Sequence, residues 1–98
     1  MNIKLDKQNE ALVISLQGRL DTTTSPALEE QITSLDESVK DLVIDMTELE
    51  YISSAGLRVL LAAQKKMNKI GSMKVTNVCD SIMEIFEITG FIDILVVE

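Results

Sequence analysis

The sequence predicts an α/β fold: a single domain over residues 1–98, with a mixed sheet, mostly parallel core strands and three main helices, in the order β-β-α-β-α-β-α-β. Three observations predict it. The 98 residues suit one compact domain and leave little room for a second. Short apolar runs alternate along the chain with longer stretches whose apolar residues recur at helical spacing. Gly18, Gly71 and Gly90 stand where those segments end. Strands alternating with helices imply right-handed parallel crossovers, which leaves the first strand as the antiparallel edge. No linker, repeat or low-complexity segment interrupts the pattern.

The elements follow in order. "IKL" at residues 3–5 and "ALVISLQG" at 11–18 alternate apolar and polar residues, and the polar "DKQNE" between them suits a hairpin loop. "TSPALEEQITSL" opens a helix. Ser25 can cap it, Pro26 suits its first position, and Glu29 and Glu30 lie toward the positive end of its dipole. Leu28, Ile32 and Leu35 form its apolar stripe. The continuous run Leu42-Val43-Ile44 in "DLVIDM" predicts a strand covered on both faces, and "TELEY" predicts a turn. A second helix, opened by Ser53 or Ser54, runs to about Asn68 and ends at Gly71. Leu57, Leu60, Leu61 and Met67 mark its buried side, while Arg58, Lys65 and Lys66 face solvent. "MKVTNV" is a further strand. Asp80 or Ser81 caps a third helix with Ile82, Ile85, Phe86 and Thr89 on one stripe, ending at Gly90. "ILVV" at 94–97 is the last strand.

Composition excludes several function classes. The hydrophobic fraction of 46% fits a globular chain, and with aromatics at only 3% the core must be built from Leu, Ile, Val and Met. A net charge of −7 argues against nucleic-acid binding, which needs a basic footprint, and against a polybasic contact with anionic lipid. The chain has no histidine and one cysteine, Cys79. Ser-His-Asp and Cys-His catalysis are therefore excluded, the usual zinc sets are lacking, and no disulfide can form within the chain. A serine–lysine enzyme would have to use Lys65, Lys66 or Lys69, about three turns beyond Ser54. No Walker-type loop is present. No apolar run approaches the ~18 residues of a membrane span, and "MNIKLDKQNE" lacks the apolar core of a signal peptide. These features point to a cytoplasmic, non-enzymatic protein with no cofactor, no metal and no small-molecule substrate. Cys79 is expected to be a small buried hydrophobe.

What remains is "EYISSAGLRVLL" at residues 50–61. In an alternating α/β domain, partners meet the loops at the carboxyl ends of the strands. The loop from Asp45 to Ser54 leaves one such end, and the loop from Gly18 to Ser25 leaves another. If the two strands are neighbours, Asp21 and Ser54 lie on one rim. Ser54 is in the simplest reading a helix cap. Gly56 is harder to explain, because glycine costs roughly 1 kcal/mol against alanine inside a helix. Beside Ala55 it leaves the backbone bare for close approach by another chain or a phosphate.

"DLVIDMTELEYISSAGLRVLLAAQKKM" resembles the signature region of STAS domains, and specifically of the bacterial anti-sigma factor antagonists. "GRLDTTTSPALEEQI" resembles the second segment of the same family, and the element order and length match over essentially the whole chain. The family pattern at the helix start is commonly Asp-Ser-Ser-Gly or Asp-Ser-Ala-Gly, and its first serine accepts a phosphate from a partner kinase that is also the anti-sigma factor. Matched residue by residue, the resemblance puts the acceptor on Ser54, the family glycine on Gly56, the acidic residue of the Gly-x-Leu-Asp loop on Asp21 and the strand-end Asp on Asp45. Asp45 also reads as a turn acceptor for backbone N–H groups near Thr47. The residue preceding the acceptor is usually acidic in the family and is Ser53 here. That removes one negative charge, adds a second hydroxyl, and leaves open which serine caps and which is modified.

The resemblance implies an anti-sigma factor antagonist that binds a GHKL-type serine kinase through Asp21, Thr22, Ser53, Ser54, Ala55, Gly56 and Arg58, and is switched off when Ser54 is phosphorylated. The alternative is a STAS interaction module that is never phosphorylated and serves as a subunit of a transporter or signalling assembly.

Overall fold

The computed structural model describes residues 1–98. A four-stranded sheet has the order β1-β2-β3-β4. β1 (Asn2–Gln8) is the antiparallel edge against β2 (Ala11–Leu20), and β2 runs parallel to β3 (Asp41–Ile52). β3 in turn runs parallel to β4 (Ser72–Thr76). Three helices, α1 (Ser25–Thr33), α2 (Ser54–Ile70) and α3 (Asp80–Thr89), fill the crossovers. A 3₁₀ turn follows at Phe91–Asp93.

The core lies between the helices and one face of the sheet. Leu12, Ile14 and Leu16 of β2 face it together with Leu42, Ile44 and Met46 of β3 and Met73 and Val75 of β4. Leu28 and Ile32 of α1, Leu57, Leu60 and Met67 of α2, and Ile82 and Phe86 of α3 close it from the other side. The opposite sheet face is polar and open. Asn2 and Lys4, Ser15 and Gln17, Asp45 and Glu48 lie there across neighbouring strands. Val43 is consequently only half-buried. The sheet is covered on one face, and the apolar run 42–44 does not mark a strand covered on both.

β3 is longer than the sequence suggests. The expected turn "TELEY" is strand as far as Ile52, and its pairing with β2 slips between Ser15 and Gln17 and again between Gly18 and Arg19. Inward residues fall at 42, 44 and 46 and then at 49 and 52, so the slip breaks the period-2 signal that would have revealed the strand.

At the C-terminus the expected strand over 94–97 contracts to a single parallel bridge, Val75 to Val97. Val75 N–H donates to Val96 O at 2.8 Å and Glu98 N–H donates to Val75 O at 2.9 Å. Only Leu95 of this apolar run is buried.

Helix ends differ in detail from expectation. Ser25 is not the cap of α1. It is the first helical residue, buried, and its hydroxyl donates to Asp21 O at 2.5 Å. Cys79 precedes α3, so Asp80 and Ser81 lie inside the helix instead of capping it, and Gly90 closes it in the left-handed conformation at φ 82°. Lys66, expected in solvent, is half-buried. Its ammonium donates to Ile32 O at 2.9 Å and Thr33 O at 3.1 Å. It thereby adds donors to the carbonyls at the negative end of α1, where Ile32 O also accepts from Leu35 N–H at 3.2 Å. Leu61 is half-buried, and Val59 takes a core place on α2. Cys79 is exposed, not buried. Its Sγ lies 3.4 Å from Ser81 Oγ, a contact that holds the thiol below its ordinary value.

Candidate functional site

The rim at the carboxyl ends of β2 and β3 is built by their last pairing, Leu20 beside Ile52. Ser53 N–H donates to Leu20 O at 2.9 Å, which ties the lead-in of α2 to the end of β2. Asp21 and Ser53 are thus the first residues beyond two adjacent strand ends, about 5 Å apart in the sheet. The expected neighbourhood of Asp21 and Ser54 follows from this pairing.

Asp21 organises its own loop. Its Oδ1 accepts from Thr23 N–H at 3.0 Å and from Thr24 N–H at 3.1 Å, while its own N–H donates to Thr24 Oγ1 at 2.9 Å. The Thr24 backbone bond, helped by the Thr24 hydroxyl, the Thr23 N–H and Arg19, holds the carboxyl below the ordinary carboxylate value. The Asp21 carboxylate thereby fixes the turn that leads into α1, whose N-cap is Thr24 and which starts without a side-chain capping bond. Thr22 is exposed at the crest of the loop.

The second loop settles which serine caps. Ser53 has extended backbone, φ −99° and ψ 176°, and its hydroxyl accepts from Gly56 N–H at 3.4 Å. Ser53 is therefore the N-cap. Ser54 is the first helical residue. It is exposed, and its hydroxyl forms no hydrogen bond within the chain. This divides the labour between two residues that look equivalent in the sequence. Ser53→Ala should cost about 0.5–1 kcal/mol in chemical denaturation, the low end of the range for a cap because the bond is long. Ser54→Ala should stay within about 0.5 kcal/mol of wild type, as surface substitutions do.

Gly56 is buried, and its glycine is explained by internal packing. A Cβ there would lie 2.8 Å from Ile52 Cγ1, 2.8 Å from Leu20 Cγ and 3.0 Å from Leu20 Cδ2. The close approach is between the first turn of α2 and the ends of its own strands. The backbone is not bare for another chain at this point. The effect is to seat the first turn of α2 directly on the sheet, with Ser54 outward, Ala55 half-buried and Arg58 exposed one turn further on.

Asp45 does not reach the rim. It sits in mid-strand, seven residues before Ile52, roughly 20 Å away along the strand. Its Oδ1 accepts from Thr47 Oγ1 at 2.6 Å, Thr47 N–H at 3.0 Å and Asn77 Nδ2 at 3.1 Å, and the Thr47 hydroxyl is foremost in holding its carboxyl below the ordinary value. The turn-acceptor reading near Thr47 is thus the one its contacts support.

One rim feature escaped the sequence reading. Arg19 lies over the Tyr51 ring at 4.2 Å, the two being paired across β2 and β3, and its Nε is 3.9 Å from Asp21 Oδ2. Nothing local signals this pair, since it depends on the slipped register. No helix is long and apolar enough to cross a membrane, and no group of three or more Cys, Asp or Glu side chains is placed to hold a metal ion.

The rim stands in a whole-chain likeness. The STAS domain model matches residues 2–98. The anti-sigma-B factor antagonist of Bacillus subtilis is 36% identical over 98 residues, spanning 97% of this chain and 90% of that protein. A crystal structure of an anti-sigma factor antagonist from Mycobacterium paratuberculosis superposes with a TM-score of 0.88 at 27% identity, covering 98% of this chain and 83% of that one. The Bacillus cell fate determinant SpoIIAA in its phosphorylated form shares the fold, with a TM-score of 0.78 at 18% identity over 99% of this chain and 91% of that one. With sequence, element order and fold agreeing from end to end, the chain belongs to the STAS domain family.

Proposed function

We propose that this protein is a cytoplasmic anti-sigma factor antagonist. It docks on a GHKL-type serine-kinase anti-sigma factor through the rim of Asp21, Thr22, Ser53, Ser54, Ala55 and Arg58, and phosphorylation of Ser54 switches it off. The observation that carries the reading is the division between the serines: Ser53 caps α2 while Ser54 stands exposed with an uncommitted hydroxyl. The relative from Bacillus subtilis is an anti-sigma-B factor antagonist, and a protein of the same fold, SpoIIAA, has been solved in a phosphorylated form. Gly56 contributes from below, by letting the first turn of α2 pack on Leu20 and Ile52.

The chemistry belongs to the kinase. The Ser54 hydroxyl oxygen bonds to the γ-phosphorus of ATP, the bond from that phosphorus to its bridging oxygen breaks, and ADP leaves with the electron pair. The hydroxyl proton passes to a base on the kinase. This chain supplies an accessible oxygen on a rigid helix start. The product adds about −1.5 to −2 charge at pH 7. The helix N-terminus accommodates that anion, so the domain stays folded. The partner surface, complementary to a neutral rim, meets an uncompensated charge, and affinity falls. Incubation with the cognate kinase and ATP, followed by intact-mass and peptide mapping, tests this reading. A single phosphoryl group on Ser54 is expected. An unchanged mass would leave a STAS interaction module that is never phosphorylated.

A further inference from the structure

The surroundings of Ser54 contain one uncommitted cation. Arg58 stands four residues after Ser54 on α2, so the two side chains project from the same helix face with Cβ atoms about 5–6 Å apart. Both are exposed. The other positions within reach of Arg58 along the helix are Ala55, Leu61 and Ala62, none of which is polar. Arg58 forms no ion pair, since the two salt bridges of the chain are Arg19–Asp21 and Lys74–Glu98. The first turn of α2 has no acidic residue to occupy it. Arg19, the other arginine of the rim, is already engaged by the Tyr51 ring and Asp21. In the unmodified protein Arg58 therefore has no intrahelical partner, and Ser54 is the one place on its helix face where an anion can be created.

We propose that Arg58 is an internal clamp for a phosphate on Ser54. Once the phosphate is in place, the guanidinium swings one turn back along α2 and donates to its oxygens, with the planar fork suited to such a group. The pairing is local, lies along the helix surface and needs no movement of the backbone. Its regulatory consequence is twofold. Modification adds negative charge to the rim, and it also withdraws the free cation that an acidic partner residue could use. One covalent event thus changes two features of the docking surface. The proposal rests on Ser54 as the modified residue, but the clamp is a property of this chain alone and can be tested without the kinase.

The test uses the full chain carrying phosphoserine at position 54, installed during translation, with and without Arg58→Gln. Phosphorus NMR follows the second ionisation of the phosphate against pH. The dianion is favoured by a nearby cation, so its apparent pKa in the Arg58 protein should lie below that in Arg58→Gln by about 0.2–0.4 unit, as an exposed i,i+4 ion pair allows. High salt should shrink the difference, and Arg58→Lys should restore part of it. The helix dipole is common to all three proteins and cancels. Arg58 is exposed, and circular dichroism checks that each variant is folded. Equal ionisation in wild type and Arg58→Gln would overturn the clamp and leave Ser54 phosphorylation standing. A chain that the kinase does not modify, but that shows the shift when phosphoserine is installed, would overturn the proposed function and keep the clamp.

Discussion

Ser54→Asp should bind the partner kinase about 10–100-fold more weakly than wild type, while Ser54→Ala should keep wild-type affinity and act as a constitutive antagonist. The difference follows from what each change does at the first position of α2. Alanine removes a hydroxyl that no group in the chain uses, and the cap on Ser53 is untouched. Aspartate places a fixed charge at an exposed point of the docking rim, beside the Asp21 loop. The helix N-terminus favours that charge, so the domain should not lose stability, and the penalty appears only in binding. Aspartate understates phosphate, having one charge and two oxygens against the greater charge and three oxygens of the modified serine. Titration calorimetry of the two variants and wild type against the kinase reads the effect. Equal affinity for wild type and Ser54→Asp would contradict it.

The largest stability effect is expected away from the rim. Gly71→Ala should destabilise the domain by about 3 kcal/mol in urea unfolding, the upper part of the usual range for overpacking. Gly71 ends α2 at a point where a side chain has no room. A Cβ would lie 1.9 Å from Lys40 O and 2.6 Å from Lys40 C. That carbonyl cannot retreat cheaply, because it accepts from Ser72 N–H at 2.7 Å where β3 and β4 begin side by side. An alanine must either break this bond or push the end of α2 off the sheet. A loss below 1 kcal/mol would show that the crossing from α2 to β4 is softer than its contacts imply.

Much of this architecture is legible in the sequence because apolar spacing survives where one side of an element faces the core. Leu57, Leu60 and Met67 recur at helical spacing, and α2 lies where they place it. Leu12, Ile14 and Leu16 alternate, and β2 carries them inward. Legibility fails where register or distant neighbours decide. The second half of β3 reads as a polar turn because the slipped pairing moves its inward residues to Leu49 and Ile52. The run Ile94–Val97 has strand composition, yet β4 extends only to Thr76 and holds it at one bridge.

The same division holds at the rim. The helix start at Ser53 and Ser54 is legible because a cap, a small residue and a glycine precede a leucine stripe. The order of the two serines is not, since a capping hydroxyl differs from a free one only in backbone conformation. Gly56 illustrates a second limit. Its cost inside a helix signals a close approach, but only the fold shows that the approaching groups are Leu20 and Ile52 of the same chain.

The central claim is that Ser53 holds the helix and Ser54 carries the switch. Its most direct test is peptide-resolved mass spectrometry of wild type, Ser53→Ala and Ser54→Ala after incubation with the cognate serine kinase and ATP. One phosphoryl group should appear on Ser54 in wild type and in Ser53→Ala, and none in Ser54→Ala. Phosphate on Ser53, or its persistence in Ser54→Ala, would contradict the assignment.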